Sequence, residues 1–270
     1  MSTLHNAGQH IVNGRTIHAR WWSISDPRDL QIITSSANLS RPGTNASFFG
    51  GNTMTAIHWF NGSEVRAGGG NNFAIGGNSQ NEIDTRMSVM HNLTSSSNVF
   101  MRNVARTITD VASPLSSIRW AIGGINLLVN ENMSNLSSME TRWGQMYSRR
   151  MITQVVEPNG TRWWPIPAMR ESRARTFIAR DSLNRILIGV MSSAFNDSQG
   201  HIGDATNPSL SGGVTYFEMH SFLRDFLNCN MALSLDGGGS SRIRRSSGTP
   251  LQISAQAGRN ILCQITAVGL

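Results

Sequence analysis

No lysine occurs anywhere in the 270 residues. Schiff-base and other lysine chemistry is thereby excluded. All 23 basic side chains are arginines, the residue suited to bidentate contacts with phosphate or carboxylate. Cysteine is nearly as scarce: Cys229 and Cys263 are too few for a disulfide scaffold and lack metal-ligand spacing, which leaves open one disulfide or two buried free thiols. No apolar run is long enough to cross a bilayer. The start, Met1-Ser-Thr-Leu-His-Asn, has no basic-then-apolar leader, so no classical signal peptide is expected. The compartment stays open between the cytoplasm and export or virion association by another route. Charged residues make up only 14% of the chain against 39% hydrophobic, which excludes a disordered polyelectrolyte and favours a loop-rich globular protein.

The net charge is positive, +7, which attracts anionic partners. The arginines are dispersed, however, and the short clusters Arg149-Arg150 and Arg242 to Arg245 form no basic arm. Without zinc-ligand spacing or an RNA-binding aromatic signature, nucleic acid is the minority reading.

The length suffices for one large domain or two small ones, and no repeat or clear linker divides it. Arg20-Trp-Trp-Ser-Ile-Ser reads as a strand ending at Asp26-Pro27, and Leu30-Gln-Ile-Ile-Thr as a second. Gly62 to Gly77 reads as short strands punctuated by glycine. Ile83 to Asp110 is ambiguous, with partial helical spacing at Met87, Met90, Val99 and Val104. Ile118-Arg-Trp-Ala-Ile and Leu127-Leu-Val are expected as strands flanking a turn. Asn132 to Pro167, with Trp143 and Tyr147, reads as an excursion that lines a substrate cleft, against the commoner placement of aromatics in a core. Ala174 to Arg180 and Arg185 to Met191 are strands joined by a turn at Asp181 to Asn184; Thr215 to Leu227 has a helical apolar face. Met231 to Leu235 and Ile261 to Val268 complete the strands. The expectation is α+β, a single domain on a mixed, largely antiparallel β-sheet core with a few packed helices. Residues 1–16 are read as an N-terminal extension and 17–270 as the domain.

The most informative segment is Ala232-Leu-Ser-Leu-Asp236-Gly-Gly-Gly-Ser-Ser241. Apolar alternation runs into one acid, then into a backbone nearly free of side-chain constraint. A carboxylate beside exposed backbone N–H groups suits an anionic ligand. Gly237, Gly238 and Gly239 would bare those groups, with Ser240 and Ser241 as ligand or capping hydroxyls.

Together with Asn45-Ala-Ser-Phe-Phe-Gly, Ala121-Ile-Gly-Gly, Arg175-Thr176 and Gly213-Val-Thr-Tyr-Phe-Glu218, this segment resembles the phosphodiester glycosidase family. That is the family of the lysosomal uncovering enzyme, which removes N-acetylglucosamine from a sugar-phosphate-sugar diester. The resemblance runs from about Ile17 to the C-terminus, with insertions near 85–115 and 132–167. The sequence departs from the family at Ala46 and Ser47, where glycines are usual, and at Ala179.

The resemblance implies a hydrolase. Breaking an anomeric C–O bond ordinarily uses two carboxyl groups, and a phosphate leaving group needs less protonation than an alcohol. Asp236 and Glu218 are the candidate carboxylates, with Arg175 as phosphate clamp. Asn45, Thr176, Gly237, Gly238, Gly239, Ser240 and Ser241 are the candidate substrate contacts. Which carboxylate attacks, and whether configuration is retained or inverted, stays open. Each has a structural reading too: Asp236 as a turn cap, Glu218 as a helix-start acid, Arg175 as an edge residue. The histidines show neither triad nor metal spacing; His220, one helical step from Glu218, is expected at the surface. No cofactor or metal is demanded, although Ca or Mg is compatible with Asp236 beside Asn or His. The expected partner is an anionic sugar-phosphate or polysaccharide, cell-wall or exopolysaccharide material met by a microbial or phage-borne enzyme. The alternative is a non-catalytic carbohydrate or phosphate-ligand binding protein on the same fold.

Overall fold

The computed structural model describes residues 2–35, 39–50, 53–66, 87–147, 152–156, 160, 162–163, 166, 169–193, 195–196, 201–202, 213–237, 240–244, 251–252 and 261–270. The longer strands are Ser2–Val12 (β1), Arg15–Ile24 (β2), Leu30–Thr34 (β3), Gly43–Asn45 (β4), His58–Phe60 (β5), Met87–Leu93 (β6), Val99–Ala105 (β7), Ile118–Asn126 (β8), Arg175–Asp181 (β9), Ile186–Ser192 (β10), Cys229–Ser234 (β11), Arg242–Arg244 (β12) and Cys263–Ala267 (β13). Among the described residues two α-helices, Leu136–Met146 (α1) and Tyr216–Ser221 (α2), accompany them, α2 continuing as a wider turn through Phe222–Phe226.

The large sheet runs β1-β2-β10-β9-β11-β8-β5 and ends on Ser63–Glu64, with β6 also paired to β8 and β7 to β6. The small sheet runs Leu251–Gln252, β12, β4, β13, β3. All the ladders just named are antiparallel. Local chemistry sets the turns. Asn13 and Gly14, both at positive φ, join β1 to β2 in the manner of a two-residue hairpin. Between β9 and β10, Asp181 Oδ1 accepts from the Leu183 and Arg185 N–H groups and Asn184 takes φ 61°.

The large sheet is the middle layer of three. One face packs Trp21, Phe177, Leu187, Met191 and Ala232 against Trp143, Tyr216, Met219 and Phe222 of the helices. The other packs Trp22, Ile178, Ile188 and Leu233 against Ile32, Ile243 and Ile265 of the small sheet. A strand covered on both faces loses polar alternation, which is why β10 is buried at every position.

One ambiguity is resolved and two expectations are revised. Residues 87–105 form the β6–β7 hairpin, not a helix; Met87, Val89 and Met90 are all buried because β6 lies against β8. Leu127-Leu-Val is no strand: Leu128 turns to φ 55° where the chain leaves β8. Trp143 and Tyr147 belong to the core under the large sheet, their polar atoms bonded to Asn126 O and N at 2.8 and 3.0 Å. Part of the Gly62 to Gly77 stretch lies outside the described residues. Cys229 and Cys263 are free and buried. No described helix is long and apolar enough to cross a membrane.

Candidate active site

β11 ends at Ser234, and the chain then crosses to the small sheet, which it enters at Arg242. The acid-glycine segment is this crossover. Leu235 N–H donates to Thr176 O at 2.9 Å, holding the crossover against β9, and Ser240 N–H donates to Gly237 O at 3.3 Å. Gly237 is required by contact: a Cβ there would stand 2.8 Å from Ala174 O and 3.5 Å from Arg175 Cδ. Gly238 and Gly239 lie outside the described residues.

Asn45, at the end of β4 and 1% exposed, clips the two sheets together. Its Nδ2 donates to Asp236 O at 2.8 Å and to Ala46 O at 3.2 Å. Its Oδ1 accepts from the Thr176 hydroxyl at 2.8 Å and from Arg242 N–H at 3.0 Å. Thr176 Oγ1 lies 3.2 Å from Ser241 Oγ. One amide thus joins the large sheet, the small sheet and the crossover, and both of its ends are engaged by protein. Ser240 is fully buried, and its hydroxyl has no hydrogen-bond partner among the described residues.

Arg175, on the first position of β9, is 3% exposed. Its Nε donates to Val214 O at 3.3 Å and an Nη to Glu171 O at 2.9 Å. The guanidinium carbon sits 4.1 Å from the Tyr216 ring centroid, a cation–π stack, and the Arg175 side chain also bonds that of Tyr216. Burial pushes the Arg175 pKa down, with Tyr216 opposing. The Tyr216 phenol is pushed up by burial first; Arg175 pulls it back, as does a hydrogen bond with Ser234, and the Asp236 charge raises it further. Asp236, Tyr216 and Arg175 thus form one neighbourhood at the crossover, the Asp236 charge raising the phenol pKa and Arg175 lowering it.

Glu218 stands apart from that neighbourhood. It closes the capping box of α2: Oε2 accepts from Thr215 N–H at 2.7 Å and Oγ1 at 3.0 Å, while Glu218 N–H donates back to Thr215 Oγ1. Oε1 accepts from Arg15 at 2.8 Å. Both oxygens are engaged and the residue is 4% exposed. His220, expected at the surface, is 1% exposed and bonded through Nδ1 to Leu127 O at 2.8 Å, because its face of α2 turns inward. Burial pushes its pKa down. Among the described residues, no group of three or more His, Cys, Asp or Glu is placed to hold a metal.

The structure therefore brings together Asp236, Gly237, Arg175, Asn45, Thr176 and Ser241, and leaves Glu218 as a helix-capping neighbour. It adds Tyr216 and Ser234, which residue types alone did not single out. Tyr216 was within reach, inside the Gly213 to Glu218 segment; Ser234 carried no signal beyond its place on a strand.

A family model described as phosphodiester glycosidase matches residues 43–261, a span that contains every member of this cluster. The chain belongs to the phosphodiester glycosidase family. The domain also resembles the solved catalytic domain of zebrafish N-acetylglucosamine-1-phosphodiester alpha-N-acetylglucosaminidase, auto-inhibited by its pro-peptide. The TM-score is 0.60 at 14% identity, over 99% of this chain and 82% of that one. A hypothetical protein from Synechocystis aligns at TM-score 0.48 and 12% identity, over 98% and 61% of the two chains. A putative exported protein from Burkholderia pseudomallei aligns at 0.38 and 13%, over 98% and 58%. No curated protein matches. At such identities the zebrafish likeness carries the phosphodiester glycosidase fold and nothing finer.

Proposed function

We propose that this protein hydrolyses the glycosidic C–O bond of a sugar linked through phosphate, or within an anionic cell-wall or exopolysaccharide glycan. The observation that supports it is the meeting, at the sheet crossover, of Asp236 and Gly237 with the buried Arg175 cation, which stacks on Tyr216.

The chemistry follows from these groups. The anomeric C–O bond breaks with its electron pair leaving on the phosphate oxygen, and positive charge grows on the sugar ring. Asp236 opposes that charge, as nucleophile toward the anomeric carbon or as base toward the water that replaces the phosphate. The departing phosphate ester is a weak base and needs little protonation; what it needs is a fixed positive charge, and Arg175 supplies one without reorganisation. Gly237 and the Ser240 and Ser241 hydroxyls form the wall that receives the anion. Asn45 and Thr176 hold that wall. Glu218 serves by fixing the first turn of α2, which carries Tyr216.

The test is release of reducing sugar from a panel of sugar-1-phosphodiesters and polymeric glycans, with and without chelator. Asp236→Asn is expected to lower turnover at least roughly 100-fold while the melting temperature stays near that of the parent. Full turnover in that variant would remove Asp236 from the reaction. Saturable binding with no turnover by the unaltered protein would instead make it a carbohydrate- or phosphate-binding module.

A further inference from the structure

Arg15 opens β2 beside the Asn13-Gly14 turn and precedes the family-matched span of residues 43–261. Its guanidinium reaches a distant part of the chain. One Nη donates to Glu218 Oε1 at 2.8 Å and Ser172 Oγ at 3.4 Å. The other donates to Ser193 Oγ and Gly213 O, each at 2.8 Å. A single planar fork thus grips Gly213 and Glu218, the two ends of Val214-Thr215-Tyr216-Phe217.

That short segment carries the seat of Arg175. Val214 O accepts from Arg175 Nε, and the Tyr216 ring lies under the guanidinium. From inside, the segment is tied to Arg173 by paired backbone bonds of 3.2 and 2.9 Å at Val214. Gly213 is pressed so closely there that a Cβ would stand 2.5 Å from Arg173 N. From outside, Arg15 provides the grip at both ends, and Glu218 passes it on to Thr215, the cap that precedes Tyr216.

We propose that Arg15 is a positioning residue. By fixing Gly213 and Glu218 it sets where Tyr216 and Val214 O hold the Arg175 guanidinium relative to Asp236. Its effect on rate rests on the glycosidase reading above; its effect on the Tyr216 seat does not. Arg15→Met keeps the stem and removes all four contacts. Arg15→Lys keeps the charge but is a point donor in place of a fork.

Tyr147 and Tyr216 are the two tyrosines of the chain, so fluorotyrosine labelling reports on both, with the lines assigned through Tyr147→Phe. In Arg15→Met the Tyr216 fluorine line is expected to shift while the Tyr147 line stays. On a sugar-1-phosphodiester, kcat falls roughly 10- to 100-fold with KM nearly unchanged, the scale of a small misplacement of a reacting geometry. Arg15→Lys restores a minor part of the rate. The proposal is overturned if Tyr216 is unmoved in Arg15→Met, or if both tyrosine lines move together, the mark of general loosening. It is also overturned if kcat is kept while Tyr216 shifts. The two readings fail separately: an unaltered protein without turnover on any diester removes the reaction, and the fluorine spectrum still decides whether Arg15 sets the seat.

Discussion

At the scale of single residues, Asn45 shows how a position named for substrate contact serves first as structure. Its amide is bonded at both ends, to Asp236, Ala46, Thr176 and Arg242. Replacing it by alanine strands the buried Arg242 N–H and leaves the Thr176 hydroxyl only Ser241. Asn45→Ala is expected to lower unfolding stability in urea by about 2–3 kcal/mol, and a loss under about 1 kcal/mol would mean that other contacts hold the sheets in register. Activity per folded molecule should fall as well, since the Asp236 carbonyl is released. From the sequence, Asn45 was legible as important, because an Asn before two phenylalanines stood in a recognisable pattern. Its task was not, because three of its four partners lie 131 to 197 positions away in sequence. Glu218 repeats the lesson: its helix-start reading was available, and the capping box with the Arg15 contact fulfils it.

At the scale of elements, the strands legible in the sequence were those whose apolar residues had no competing period. The β9–β10 hairpin and its Asp181 turn are such a case, and so is the helix after Thr215. Residues 87–105 stayed ambiguous because methionines spaced as on a helix are buried for another reason, the contact of β6 with β8. The hairpin β9–β10 also contains its own tight spot. Gly189 faces Phe177 in register and stands beside Trp21, so that a Cβ would meet Arg20 O at 2.5 Å and the Phe177 ring and Trp21 Cβ at 2.6 Å. Backbone cannot yield as a side chain does. Gly189→Ala is accordingly expected to destabilise by about 1–3 kcal/mol or more through overpacking, read as a lowered melting temperature. An unchanged melting temperature would show that β2 slides freely on β10.

At the scale of the whole molecule, buried histidines make stability depend on pH. His58 is fully buried, donating through Nδ1 to Ala56 O at 2.8 Å and accepting at Nε2 from Ser47 N–H at 3.0 Å. A second proton would face that N–H. Burial lowers His58 from 6.5 to about 4, and His91 likewise to about 4. The unfolded chain therefore binds protons between pH 6.5 and about 4 that the folded chain does not. Stability is full above pH 6.5 and is lost as pH falls through that window. The urea midpoint should drop steadily from pH 7 to pH 4.5; a flat midpoint would contradict the burial of these rings. Burial also pushes the Cys263 thiol up to about 12, which keeps it un-ionised across the same range.

The small sheet carries one more implication. β13, near the end of the sequence, lies between β3 and β4, pairing Ile265 with Ile32 on one edge and with Thr44 on the other. The strand that bears Asn45 thus has an open flank until residues more than two hundred positions later arrive. Contacts so distant in sequence form slowly. During synthesis, the seam that Asn45 closes between the two sheets is therefore among the last parts of the molecule to form.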